Sequence, residues 1–173
     1  MVLTEGILVI GSFSYLGAYT ESLFHYNYFV IGLILTAFGA GTVITGRLSG
    51  RIALKIGRSN TLSLGLILAV SADILLSKLN NGPLGLVVGM GLLGGFMLAH
   101  SSLLTIATEF AKAARGTAMS LVAFCFMGGG GVGTAIGGKI IGSAGYGHFY
   151  IFFGILLGGL LVAARIMVRD TKA

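Results

Sequence analysis

Apolar residues in this chain gather into six long runs, and the polar positions fall between them. The runs cover residues 5–24, 28–46, 60–77, 83–107, 116–141 and 148–168. Each approaches or exceeds the roughly 20 apolar residues with which an α-helix crosses the hydrocarbon core of a bilayer. Lipid offers the backbone no hydrogen-bond partner, so such a run closes its bonds within itself as a helix. The pattern predicts an all-α, polytopic membrane protein. Its single bundle of six transmembrane helices takes up residues 1–173 and has the lipid bilayer as its main solvent.

Composition agrees with this. Hydrophobic residues make up 55% and charged residues 9% of the chain, too little polar surface for a water-soluble exterior. Six spans use most of the length, which predicts short connections and antiparallel neighbours and leaves these residues no room for a second domain. Asn80, Asn81, Gly82 and Pro83 read as a tight turn between two triplets of helices, because Asn and Gly tolerate left-handed backbone and Pro suits a first helical turn. A three-plus-three arrangement is a known construction of secondary transporters.

The net charge of +6 does not point to a nucleic-acid partner, because its carriers sit between the apolar runs. Basic residues collect on the cytoplasmic side of a membrane protein. With a cytoplasmic N-terminus, the inner side receives Arg47, Arg51, Lys55, Arg58, Lys112, Arg115, Arg165, Arg169 and Lys172. The outer side keeps Lys78 and Lys139. The bias predicts a multi-pass protein of the plasma (inner) membrane with both termini cytoplasmic. The first residues carry no Lys or Arg, and no small-residue cleavage site follows the first run, so they do not read as a secretory signal.

Thirty glycines lie mostly in the apolar runs, many four apart: Gly85 and Gly89, Gly91 and Gly95, Gly133 and Gly137, Gly138 and Gly142, Gly154 and Gly158. Small residues at that spacing let helices approach closely. The run Gly128-Gly129-Gly130-Gly131-Val132-Gly133 reads either as a packing surface or as a place where the fifth helix bends. No strand precedes it and no Lys-Ser/Thr pair follows, which excludes a phosphate loop.

Polar residues inside the spans are few. Ser12, Tyr15, Tyr19 and Ser22 recur at helical steps on the first helix, with Glu21 near its outer end. Ser101, Thr105 and Thr108 share a face of the fourth helix, beside His100. Such stripes are expected to face other helices or a water-filled path. Asp73, a turn inside the outer boundary of the third helix, is expected to reach the interface or to pair with Lys78. A central Asp costs about 2.5–3.5 kcal/mol to insert. Tyr15, Tyr19, His100 and Ser101 are therefore the candidates for a substrate path, and Glu21 and His100 for carrying a proton.

Enzyme chemistry finds little support. Ser101 and Ser102 adjoin His100 in sequence and so point away from it on a helix, and H-E-x-x-H is absent. His25, His100 and His148 are scattered and Cys125 stands alone, so no metal site is expected, nor any cofactor.

Gly50-Arg51-Ile52-Ala53-Leu54-Lys55-Ile56-Gly57-Arg58 resembles the signature loop G-x-L-A-D-R-x-G-R of the major facilitator superfamily, which joins the second and third helices of each six-helix half. Residues 109–120 resemble that family's connection into the penultimate helix. Phe13-Ser14-Tyr15-Leu16-Gly17-Ala18-Tyr19 and Gly133-Thr134-Ala135-Ile136-Gly137-Gly138 resemble the C-terminal half of its drug-efflux members. The matching loop residues here are Gly50, Arg51, Lys55, Gly57 and Arg58. Leu54 replaces the loop's Asp, so the charge lock attributed to that Asp cannot operate.

The resemblance implies half of a twelve-helix fold. Helices one, two, four and five would line a path, and three and six would lie outside it. It implies proton-coupled efflux of amphipathic small molecules by this bundle together with a second six-helix half, either another copy or a separate chain. Alternatively, the chain is a non-transporting fragment of a split or truncated gene, or a membrane interaction partner.

Overall fold

The computed structural model describes residues 1–78 and 82–168. Arg169 and Lys172, counted above for orientation, lie outside the described residues, as do Asn80 and Asn81 of the expected turn. The described chain forms α1 (Val2–Ser14), α2 (Leu16–Phe24), α3 (Tyr28–Ile56), α4 (Arg58–Ser77), α5 (Pro83–Gly94), α6 (Met97–Phe110), a 3-10 turn (Lys112–Ala114) and α7 (Arg115–Met167). Five helical segments are long and apolar enough to cross a membrane: Val2–Phe24, Tyr28–Ile56, Arg58–Ser77, Pro83–Phe110 and Lys112–Met167.

Local residues explain most of the boundaries. Asn27 caps α3 by accepting a 2.9 Å hydrogen bond from the Val30 amide, which supplies a partner that the first turn lacks. Pro83 opens α5 directly after Gly82, whose φ is 85°, as the turn reading expects.

The stretch 46–60, expected to be a polar loop, is helical as far as Ile56. No residue before Gly57 breaks the helix, and a helix keeps its internal bonds on leaving lipid. The turn into α4 falls on Gly57, at φ 84° and ψ 161°.

Two expected helices are interrupted. The first divides at Tyr15 and the fourth at Gly95 and Phe96.

The fifth and sixth expected helices run together as α7, in which Gly145 alone leaves helical geometry (φ 83°, ψ 172°). The arms either side of it, 115–144 and 146–167, pack on one another. A Cβ built on Gly137 would lie 2.7 Å from Phe149 Cε2, whereas a straight helix holds residues twelve apart at about 18 Å. The chain therefore reverses at Gly145.

α1 lies against both arms. Cβ atoms on Gly6, Gly129 and Gly133 would run into the backbones of Phe126, Leu3 and Ile7. Gly128 and Gly131 face open space. The glycine run is thus a helical packing surface, and the bend falls twelve residues beyond its end.

α4 is the best covered of the long segments and α3 the least. α3 buries Ile31 and Ile34 but leaves Phe29 and Leu33 exposed. The first arm of α7 exposes Phe124, Met127 and Val132 in the same way. Apolar exposure on this scale fits lipid or another apolar bundle as the surroundings.

Candidate functional site

A file of aromatic rings crosses the bundle from α1 to α7. Phe13 of α1 stacks on Phe38 of α3, with ring centroids 4.2 Å apart. Phe38 stacks on Phe96, at the turn between α5 and α6, at 6.0 Å. Phe96 stacks on Phe126 of α7 at 5.8 Å. The His100 ring of α6 lies 4.3 Å from Phe126. Offset-stacked rings of this kind add about 0.5–1.5 kcal/mol per pair beyond their buried area.

The file ends on an acid–base pair. His100 Nδ1 lies 3.1 Å from Glu5 Oε2. Glu5 is fully buried, and the His100 side chain is 17% exposed. The glycine at position 6 makes this possible, because any larger residue would strike the Phe126 backbone and hold α1 away. The second oxygen, Glu5 Oε1, is buried and has no hydrogen-bond partner among the described residues. An unsatisfied buried acceptor costs about 1–3 kcal/mol, so the pair depends on His100 for its compensation.

The sequence pattern marks His100 but not Glu5, which is only the first residue of the first apolar run. The available signal was a carboxylate set between Val2-Leu3-Thr4 and Gly6-Ile7-Leu8.

The other expected site residues are dispersed. Tyr15 donates to the Thr134 carbonyl at 2.6 Å, and Thr134 donates to Ser14 at 3.0 Å, so this tyrosine ties the α1–α2 break to the first arm of α7. Tyr19 is buried and donates to the Leu76 carbonyl at 2.8 Å. Its ring packs on Tyr146 and Tyr150. Tyr19 keeps its helical step from Tyr15, whose carbonyl accepts from the Tyr19 amide at 2.8 Å, and the Tyr15 ring also meets the second arm, at Phe149. Glu21 is exposed near the end of α2.

Ser101 points away from the Glu5–His100 pair, as its adjacency to His100 requires. With Ser49, Gly50, Arg58, Ser102 and Thr105 it lines a cleft of about 320 Å³ where α3, α4 and α6 meet.

Asp73 corrects an expectation. It is fully buried and accepts a 3.2 Å hydrogen bond from Ser12 Oγ; it neither reaches the interface nor pairs with Lys78. Five residues along a helix place the two side chains on different faces.

Of the signature-loop residues, Arg58 makes a tie at one end of the bundle. Arg58 forms an ion pair with Glu109 at the end of α6, and Lys112 and Arg115 also act electrostatically on Glu109. Ser59 donates to the Val168 carbonyl at 2.7 Å, and Arg165 to Asn60 at 2.9 Å. Leu54, which replaces the loop's Asp, is exposed; the charged tie across helices is made by Arg58 instead. Arg51 and Lys55 are exposed on the last turns of α3. Among the described residues, no three His, Cys, Asp or Glu side chains stand close enough to hold a metal ion.

The helix content, the long apolar segments and the loop geometry meet in one further observation: a family model described as the Major Facilitator Superfamily matches residues 1–173. The chain belongs to the major facilitator superfamily. Members of this superfamily are membrane transporters, and membrane transport by a multi-pass helical protein is what membership implies here. No curated protein and no solved structure matches the chain.

Proposed function

We propose that this major facilitator chain is the C-terminal-type half of a proton-coupled exporter of amphipathic small molecules. In this reading it crosses the plasma (inner) membrane six times, with Gly145 as the outer hairpin between the last two crossings. Both termini are cytoplasmic. The end of the bundle held by Arg58, Glu109 and Arg165 faces the cytoplasm, and Lys78 lies at the opposite end of α4.

The aromatic file carries this reading. The first, second, fourth and fifth helices, which the family resemblance sets around the path, each contribute a ring, and the file terminates on Glu5 and His100. Stacked rings suit flat apolar substrates with few polar anchors. A buried acid–base pair beside them can take and release a proton, because its charge state decides whether α1 and α6 attract one another across a low-dielectric gap. Tyr15 borders the same arm of α7 and supplies a polar edge. Glu21 is the alternative proton carrier.

One bundle does not enclose a path; alternating access takes two bundles rocking about a central site. A second six-helix half, another copy or a separate chain, is accordingly part of the proposal. The test is uptake of a fluorescent lipophilic cation into proteoliposomes with and without a pH gradient, using the chain alone and then with a six-helix partner. Gradient-dependent flux that Glu5→Gln abolishes and Glu21→Gln spares supports the assignment. The reverse pattern moves the proton to Glu21. No flux in either arrangement overturns the transport proposal in favour of a non-transporting membrane fragment or interaction partner.

A further inference from the structure

The bundle contains a second buried carboxylate that the aromatic file does not use. Asp73 lies about one turn before the end of α4, sealed between α1 and the second arm of α7. Ser12 Oγ donates to its Oδ2 at 3.2 Å. Its other oxygen, Oδ1, is buried without a hydrogen-bond partner among the described residues. Tyr150 donates to the Ser12 carbonyl at 3.3 Å, and a Cβ on Gly154 would lie 3.3 Å from that of Asp73, so the second arm closes the remaining side.

No cation among the described residues answers this charge. Among the described residues Asp73 takes part in no ion pair; the two ion pairs present are Arg58–Glu109 and His100–Glu5. The titratable group that it acts on is the phenol of Tyr150 on α7, which is itself beside the phenols of Tyr19 on α2 and Tyr146 on α7. α5 carries no titratable side chain. On α6, His100 and Glu109 are engaged by Glu5 and Arg58. The titratable groups of α3 are Tyr28, Arg47, Arg51 and Lys55, and none forms an ion pair with Asp73. A lone carboxylate with one long hydrogen bond costs several kcal/mol to bury.

The geometry points to Asp73, Ser12 and Tyr150 as a site for a small monovalent cation, a proton or a sodium ion, set between α1, α4 and α7. The donor set is all oxygen: carboxylate, hydroxyls and a helix-end carbonyl. That chemistry suits a hard ion and excludes soft metals. One carboxylate matches one positive charge. α1 ends at Ser14, so the Ser12 carbonyl belongs to the last turn, where carbonyls lack helical donors. Broken helices supply ion ligands in other transporters in this manner. The bound cation neutralises the buried charge, removing its desolvation cost, and holds α1 against α4.

Infrared difference spectroscopy on the purified full chain tests the site, and five acidic residues in the whole chain keep the carboxyl region interpretable. Wild type minus Asp73→Asn, recorded between pH 5 and pH 9 in sodium and in choline salts, distinguishes the two sources. A protonated-carboxyl band lost in the variant identifies a proton. A carboxylate band that shifts with sodium and not with choline identifies sodium. A carboxylate band indifferent to both pH and sodium overturns the proposal. If Asp73→Asn does not fold, Ser12→Ala minus wild type gives the same readout, because removing the hydroxyl moves whichever band Asp73 contributes.

Discussion

Glu5 and His100 stand 95 residues apart in sequence and 3.1 Å apart in space. They join the first turn of α1 to the first turn of α6 and place a buried acid–base pair at the end of a row of stacked rings. Because Glu5 is the more deeply buried partner, removing His100 leaves a buried carboxyl with neither oxygen satisfied. His100→Ala is therefore expected to destabilise the chain by about 1–3 kcal/mol. Glu5→Gln with His100→Ala is expected to recover part of that loss. Thermal unfolding in detergent of both single variants and the double variant checks this; a double variant no more stable than His100→Ala refutes it.

Glycines on the α1–α7 contact are expected to behave unlike their neighbours. Gly133→Ala drives a Cβ into the Ile7 backbone and should cost about 1–3 kcal/mol, as overpacking does. Gly131→Ala faces open space and should be neutral or stabilising by up to about 1 kcal/mol, since Ala is the better helix former. Melting temperatures of the two variants test the contrast.

Gly145 makes the reversal between the arms of α7 with φ at 83°, where an L side chain costs about 1–2 kcal/mol. Gly145→Ala is expected to lower stability by about that amount without changing which side of the membrane the arms' far ends face. In a Cys125→Ala background, Arg51→Cys and Lys139→Cys should label from opposite sides. Labelling from one side would refute the proposed threading.

The Arg58–Glu109 pair closes the end of the bundle opposite to Lys78. Arg58→Glu and Glu109→Arg should each loosen that end, seen as faster trypsin cleavage near Lys112 and Arg115. The double exchange should restore slow cleavage. Equal cleavage in all four proteins would show that the pair braces nothing.

The sequence by itself determined the class of protein: six apolar runs with nearly all charge between them leave lipid as the solvent and helices as the only spanning structure. It also placed the start of α5 at Pro83 and the close approach at Gly133 and Gly137, because those depend on local backbone preferences; the turn at Gly57 lay inside a stretch read as a longer loop. It selected His100 as chemically significant, since an imidazole in an apolar helix is conspicuous. The tertiary structure alone decided the partners. Glu5 drew no reading of its own until α6 brought His100 against it. Asp73 read as reaching the interface or pairing with Lys78 until α1 delivered Ser12. Tyr15 and Tyr19 read as one helical stripe, and packing alone set that stripe against Phe149, Tyr146 and Tyr150 of the second arm. Helical periodicity records which residues share a face; which helix meets that face depends on long-range packing through backbone contacts such as Gly133 on Ile7, and no local pattern encodes those.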